Sequence, residues 1–293
     1  MTDVLAHFPP MQRHWQGAAD LVRLAFLLDG SLAPVAVALH GDGDGLQGEV
    51  AGTDDLEAAA RQVARIFSLD HDGSGYPEVG QRNPEIGPVL AALPGLRPLC
   101  FPSPYESAAW AIISQRISAK QGAGIQARLV AEHGHPVQVA GATVRCFPRP
   151  EVLLDLGSVP GLTLEKIERL RGVARAAMDG LLDADRLRAL GDEAAQTALR
   201  TIPGIGPFWS ALIYLRGCGV VDVFPDEPIA VAALGTLYGL GDRPDPATVQ
   251  TIAERFRPYR MWVCFLLRVA VDRGLVPGVT GREGAIKRAA RQQ

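Results

Sequence analysis

The chain has 293 residues, 47% of them hydrophobic and 21% charged. That is enough apolar material for one large or two moderate domains, and it excludes intrinsic disorder for the bulk of the sequence. Lys plus Arg number 29 against 32 Asp plus Glu, a net of -3, so global charge argues against a strongly basic nucleic-acid binder.

In chain order, the spacing predicts an amphipathic helix over Gln12 to Leu28, a strand over Pro34 to Leu39, a Gly/Asp turn from His40 to Gly45 and a returning strand over Leu46 to Val50. Asp54 and Asp55 precede Leu56, Ala59, Ala60, Val63, Ile66 and Phe67, which is helical spacing with an acidic start. Ser68 to Gly80 is punctuated like a loop, Pro84 to Leu93 reads as a short helix, and Pro94 to Pro104 reads as an inter-domain crossing. Beyond Tyr105 the reading is nearly all helix: Tyr105–Ser114, Gln121–His133, Glu151–Asp155, Leu164–Leu181, Asp185–Leu190, Asp192–Ile202, Pro207–Arg216, Pro228–Tyr238, Thr248–Phe256 and Met261–Arg273. The expected architecture is mainly α (α+β): a small N-terminal mixed α/β domain over 1–100, an all-helical domain over 101–280 and a basic tail over 281–293.

Several function classes are disfavoured at once. No stretch approaches the roughly 18 consecutive apolar residues of a membrane helix, and residues 1–10 have no basic or apolar region of a secretory leader. The expectation is no membrane association and a cytoplasmic location. Cys100, Cys146, Cys218 and Cys264 have no C-x-x-C spacing, which argues against a zinc site, an iron–sulfur cluster or a disulfide framework. No metal site is expected.

Two segments carry chemistry. In Leu199 to Ala211, Pro203 stops one helix, Gly204 and Gly206 bracket Ile205, and Pro207 sits in the first turn of the next helix. The glycines permit a tight reversal and leave backbone N–H groups uncovered at a helix N-terminus, an anion site suited to a phosphodiester. A plain helix–turn–helix corner is the competing reading. Some twenty residues on, Asp226 and Glu227 stand just before an apolar helix that opens with Pro228. Asp226 as a helix N-cap is the structural reading of that pair. A carboxylate for nucleic-acid hydrolysis is the functional one.

These residues carry a family resemblance. Leu199 to Ala211 resembles the helix–hairpin–helix motif of the DNA base-excision glycosylases, and Asp226 with Ile229 three positions on resembles that family's catalytic aspartate. Arg65 to Asp70, Asn83 to Arg97, Tyr105 to Ser118, Leu215 to Gly217 with Asp222 to Pro225, and Phe256 to Arg260 are similar to blocks of the AlkA-type 3-methyladenine glycosylases. Together the blocks span about residues 60 to 275.

The resemblance implies a helix–hairpin–helix glycosylase core that swings a damaged nucleotide out of double-stranded DNA and hydrolyses its N-glycosidic bond. It makes Asp226 the catalytic carboxylate, with Glu227 as the alternative because one residue is deleted just before the pair. It makes Ile202, Gly204, Ile205 and Gly206 the phosphate-gripping residues and the Gln115–Arg116–Ile117 loop the duplex wedge, with either Arg116 or Ile117 filling the gap. Phe208, Trp209 and Trp110 are candidates for the base pocket, with core packing as the other reading for each. Phe208 stands where bifunctional members carry a Schiff-base lysine, so the expected enzyme is monofunctional. No cofactor is expected, a monovalent cation at the hairpin being the one open alternative, and the expected protein is a nucleoid-associated monomer. Two other readings stay open: a hairpin protein that binds DNA without catalysis, and a glycosylase for oxidised or deaminated purines.

Overall fold

The computed structural model describes residues 21–42 and 45–280; residues 12–20 of the helix expected over Gln12 to Leu28, and the basic tail expected over 281–293, lie outside the described residues. The described residues divide into two compact units, one formed by residues 21–42, 45–70 and 99–219, the other by 71–98 and 220–280.

The first unit opens with an antiparallel sheet of β1 (Val22–Leu27), β2 (Pro34–Asp42) and β3 (Gly45–Ala51), in that order. The expected helix reaching Leu28 is therefore corrected to a strand. Every position of β1 except Arg23 is buried, so the segment has no polar face to set a period, and a continuous apolar run of this length fits either element. Pairing with β2, from Val22 opposite Leu39 to Leu27 opposite Pro34, decides it. The two strands expected at 34–39 and 46–50 are present and pair in register.

Helix α1 (Leu56–Ile66) is capped by Asp55, whose carboxylate accepts the Ala58 N–H at 2.9 Å. Its inner face, Ala59, Val63 and Ile66, packs on Leu24, Phe26, Val35 and Val37 of the sheet. The same helix carries two buried polar side chains. Gln62 donates to Leu27 O at 3.0 Å and Pro102 O at 2.9 Å. Arg65, 2% exposed, donates to Pro102 O at 3.0 Å, to Gly217 O and to the Asp29 carboxylate. These bonds pin α1 to backbone after residue 100, within the same unit.

The rest of the first unit is built on α4 (Pro104–Ser114), buried from Pro104 through Ile113 and capped by Ser103 at 3.1 Å from Glu106 N. Around it stand α5 (Ala119–His133), α6 (Pro150–Leu154), α7 (Leu164–Met178), α8 (Ala184–Leu190), α9 (Asp192–Leu199) and α10 (Pro207–Leu212), the last running on into a π turn, Ile213–Gly217. One element breaks the all-helical expectation: β4 (Pro136–Val139) and β5 (Ala142–Arg145) form a hairpin whose Ala140 O accepts from Arg23 at 3.1 Å and whose Ala140 N donates to Glu49 at 3.1 Å.

The second unit contains α2 (Tyr76–Arg82), α3 (Gly87–Ala92), α11 (Pro228–Leu237), α12 (Pro246–Ala253), a 3-10 turn (Glu254–Phe256) and α13 (Arg260–Asp272). The expected loop over 68–80 thus gives way to helix from Tyr76. Tyr76 is drawn into the core by edge contacts with Tyr259 and Trp262, centroids 5.3 and 5.1 Å away. Among the described residues no helix is long and apolar enough to cross a membrane.

Candidate nucleic-acid interface and active site

In the first unit, α9 ends at Leu199 and the chain reverses through Thr201 to Gly206. Ile202 N donates back to Leu199 O and Ile205 N to Ile202 O, closing two successive turns at 3.1 and 3.0 Å. Ile202 and Ile205 are 3% and 4% exposed, so they hold the hairpin from inside and present backbone outward. Gly204 has φ +89°, and a Cβ there would lie 2.7 Å from Arg169 Cδ and 3.0 Å from Ile112 Cδ1. Gly206 differs: its φ is -94°, it is the N-cap of α10 with no side-chain cap bond, and a Cβ on it would meet open space. The fold demands glycine at 204. At 206 it does not, and a bare backbone there instead keeps the α10 N-terminus approachable.

The 115–117 loop follows the C-terminus of α4. Arg116 is exposed with φ +58°, Ile117 is half-buried, and Gln115 turns inward. Its amide donates to Gly204 O at 2.8 Å and accepts from Arg169 Nη1 at 2.9 Å, so Gln115 reaches the hairpin and Arg116 stands at the tip. Lys166 Nζ donates to Ile113 O at 2.7 Å and Gln115 O at 2.8 Å. Burial, helped by the neighbouring Arg169 charge, lowers the Lys166 pKa from its ordinary value. Sequence reasoning missed Lys166 and Arg169; their i, i+3 placement on one helix face was the available signal.

The aromatic candidates separate by burial. Phe208 is 45% exposed, on the first turn of α10, and makes an edge contact with the half-buried Trp209 at 5.1 Å between centroids. Trp110 is 6% exposed, and its ring faces Gly122 closely enough that a Cβ there would lie 3.2 Å from it. The structure thus sets Trp110 within the α4–α5 packing.

In the second unit, the two adjacent carboxylates have different fates. Glu227 is the N-cap of α11: its Oε2 accepts the Ala230 N–H at 2.7 Å and its Oε1 accepts from Arg268 Nη1 at 3.1 Å. Asp226 is exposed and makes no hydrogen bond or ion pair with any described residue. The N-cap reading of Asp226 is therefore corrected. With Pro228 occupying the first helical position, it is the side chain of residue 227 that stands over the free amides. Arg268 was not singled out in the sequence, because nothing local marks a basic residue in the apolar α13 as a partner for residue 227.

Among the described residues no group of three or more His, Cys, Asp or Glu side chains could hold a metal ion, and all four cysteines are buried.

No protein-family profile matches the chain. Among curated proteins it is similar to the probable bifunctional transcriptional activator/DNA repair enzyme AlkA of Mycobacterium tuberculosis, 29% identical over 211 residues that cover 71% of this chain and 42% of that protein. It is also similar to DNA-3-methyladenine glycosylase 2 of Escherichia coli, 31% identical over 223 residues that cover 74% of this chain and 72% of that protein. The chain thus spans less than half the length of the mycobacterial relative and most of the E. coli one. The solved 3-methyladenine DNA-glycosylase from Archaeoglobus fulgidus shares its fold, with a TM-score of 0.78, 24% identity and coverage of 94% of this chain and 96% of that one.

Proposed function

The chain belongs to the AlkA-type DNA-3-methyladenine glycosylase family, and from that premise we propose that it is a monofunctional base-excision glycosylase that hydrolyses the N-glycosidic bond of alkylated bases in double-stranded DNA. The backbone of the 203–206 hairpin grips the phosphodiester, and the Arg116–Ile117 tip fills the space left when the damaged nucleotide is swung out. Phe208 offers an exposed aromatic face to a cationic base. The bond to the base breaks with its electron pair leaving on the base. Water then adds to C1′ and gives up a proton. An alkylated purine already carries positive charge, so its departure needs little protonation. One preorganised carboxylate facing the cationic sugar is then enough.

The observation that carries the assignment of that carboxylate is the double anchoring of Glu227. Its two oxygens are held by Ala230 N and Arg268, so it needs no reorganisation as charge develops. Asp226, preferred from the sequence, is exposed and unanchored, and solvent screens its field. We therefore assign the role to Glu227.

The test is release of methylated purines from alkylated DNA by the purified chain. Glu227→Gln, which still accepts the Ala230 N–H, should lose activity by about 100-fold or more while keeping DNA binding, and Asp226→Asn should stay within about threefold. The reverse pattern returns the role to Asp226. A second reading, a DNA-binding protein without catalysis, draws on the Arg268 pair, which partly neutralises Glu227. It predicts intact binding with no base release from alkylated, oxidised or deaminated duplexes.

A further inference from the structure

We propose that Lys166 and Arg169 are positioning residues that fasten the 114–118 turn to the 203–206 hairpin, so that the two loops meet DNA as one rigid surface. This inference rests on the glycosylase reading above, and every residue in it belongs to the first unit.

Helix α4 ends at Ser114. The last carbonyls of a helix have no partner within it and carry the negative end of its dipole. Lys166 answers both needs, donating to Ile113 O and Gln115 O at 2.7 and 2.8 Å. That fixes the point at which the chain leaves the helix, just before Arg116 takes up its left-handed backbone. A non-glycine residue keeps such a conformation only where its surroundings over-determine it.

The next link is Gln115. One end of its amide donates to Gly204 O and the other accepts from Arg169, at 2.8 and 2.9 Å. Both ends are used, so the side chain has one orientation. Arg169 also bonds Glu165, four residues before it on α7. Its aliphatic stem occupies the space that a side chain at 204 would need. One face of α7 therefore grips the turn through Lys166 and the hairpin through Arg169, with Gln115 as the bar between them. Both cations donate to protein acceptors on this surface.

A duplex with a tetrahydrofuran abasic analogue opposite 2-aminopurine tests this without requiring base excision. Binding and wedge insertion should raise the fluorescence at saturating full-length protein. Gln115→Glu keeps the Arg169 bond but sets a carboxylate against Gly204 O; Lys166→Met removes both carbonyl contacts. Each should give less than about half the wild-type rise at saturation and bind about tenfold more weakly, while Lys166→Arg should recover to within about threefold. Circular dichroism at the assay temperature checks that each variant is folded. Wild-type amplitude at saturation in folded Gln115→Glu and Lys166→Met overturns the proposal, as does failure of folded Lys166→Arg to recover any of the loss. No binding and no fluorescence rise with the wild-type protein would instead refute the glycosylase reading.

Discussion

Glu227 Oε1 and Arg268 Nη1 lie 3.1 Å apart, with both side chains less than a third exposed. The pair joins the N-terminus of α11 to the middle of α13, and it orients the carboxylate whose other oxygen caps α11. Arg268→Met should change unfolding free energy by less than about 1 kcal/mol, as partly solvated pairs do. The single-turnover excision rate should fall by about tenfold or more, because the carboxylate loses one of its two anchors. Chemical denaturation and single-turnover kinetics on one preparation check both. A stability loss without a rate loss would reduce the pair to scaffolding.

The two hairpin glycines should respond oppositely to alanine. Gly204→Ala forces φ +89° on a residue with a Cβ and drives it onto Arg169, and should cost about 1–3 kcal/mol of stability. Gly206→Ala meets no neighbour and should leave stability within about 0.5 kcal/mol. Its methyl group projects at the α10 N-terminus, however, and should weaken DNA binding by about tenfold. Thermal melts and fluorescence anisotropy with a short duplex separate the two effects.

Asp29 predicts a pH dependence of stability. Burial pushes its carboxyl up from 3.8 to about 6, against the pull of Arg65. Between about pH 4 and 6 the folded chain holds a proton that the unfolded chain has released, so the group's contribution falls as pH rises and is flat above about 6. Asp29→Asn removes this slope. Its stability relative to wild type should rise by roughly 2 kcal/mol between pH 4 and 7, measured by urea titration at each pH. A pH-independent difference would show that Arg65 keeps Asp29 ionised throughout.

Phe208 offers a gain-of-function test. It is exposed on the first turn of α10, so a lysine is accommodated there without burying its charge. The wild-type protein should leave an abasic product intact and form no borohydride-trapped DNA adduct. Phe208→Lys should form one, because an amine then stands two residues beyond Gly206. Denaturing gel electrophoresis reads both outcomes, and a trapped adduct with the wild-type protein would contradict monofunctional chemistry.

The hairpin could be read in the sequence because its shape is a local consequence of Pro203, Gly204, Gly206 and Pro207, each acting on its own dihedrals or N–H group. The helices beyond Tyr105 were legible for a similar reason, their period and caps lying within each segment. Tertiary structure alone decided what depended on distant partners. Val22–Leu27 is a strand because β2 pairs with it, and β4 and β5 meet the sheet through Ala140. Helix α1 is tied to the chain beyond residue 100 because Gln62 and Arg65 find their acceptors at Pro102 and Gly217. The candidate carboxylate shows the division most sharply. The sequence supplied two adjacent acids of nearly equal chemistry. The choice between them rests on which one Pro228 turns toward the helix amides and on Arg268, 41 residues along the chain and 3.1 Å away in space.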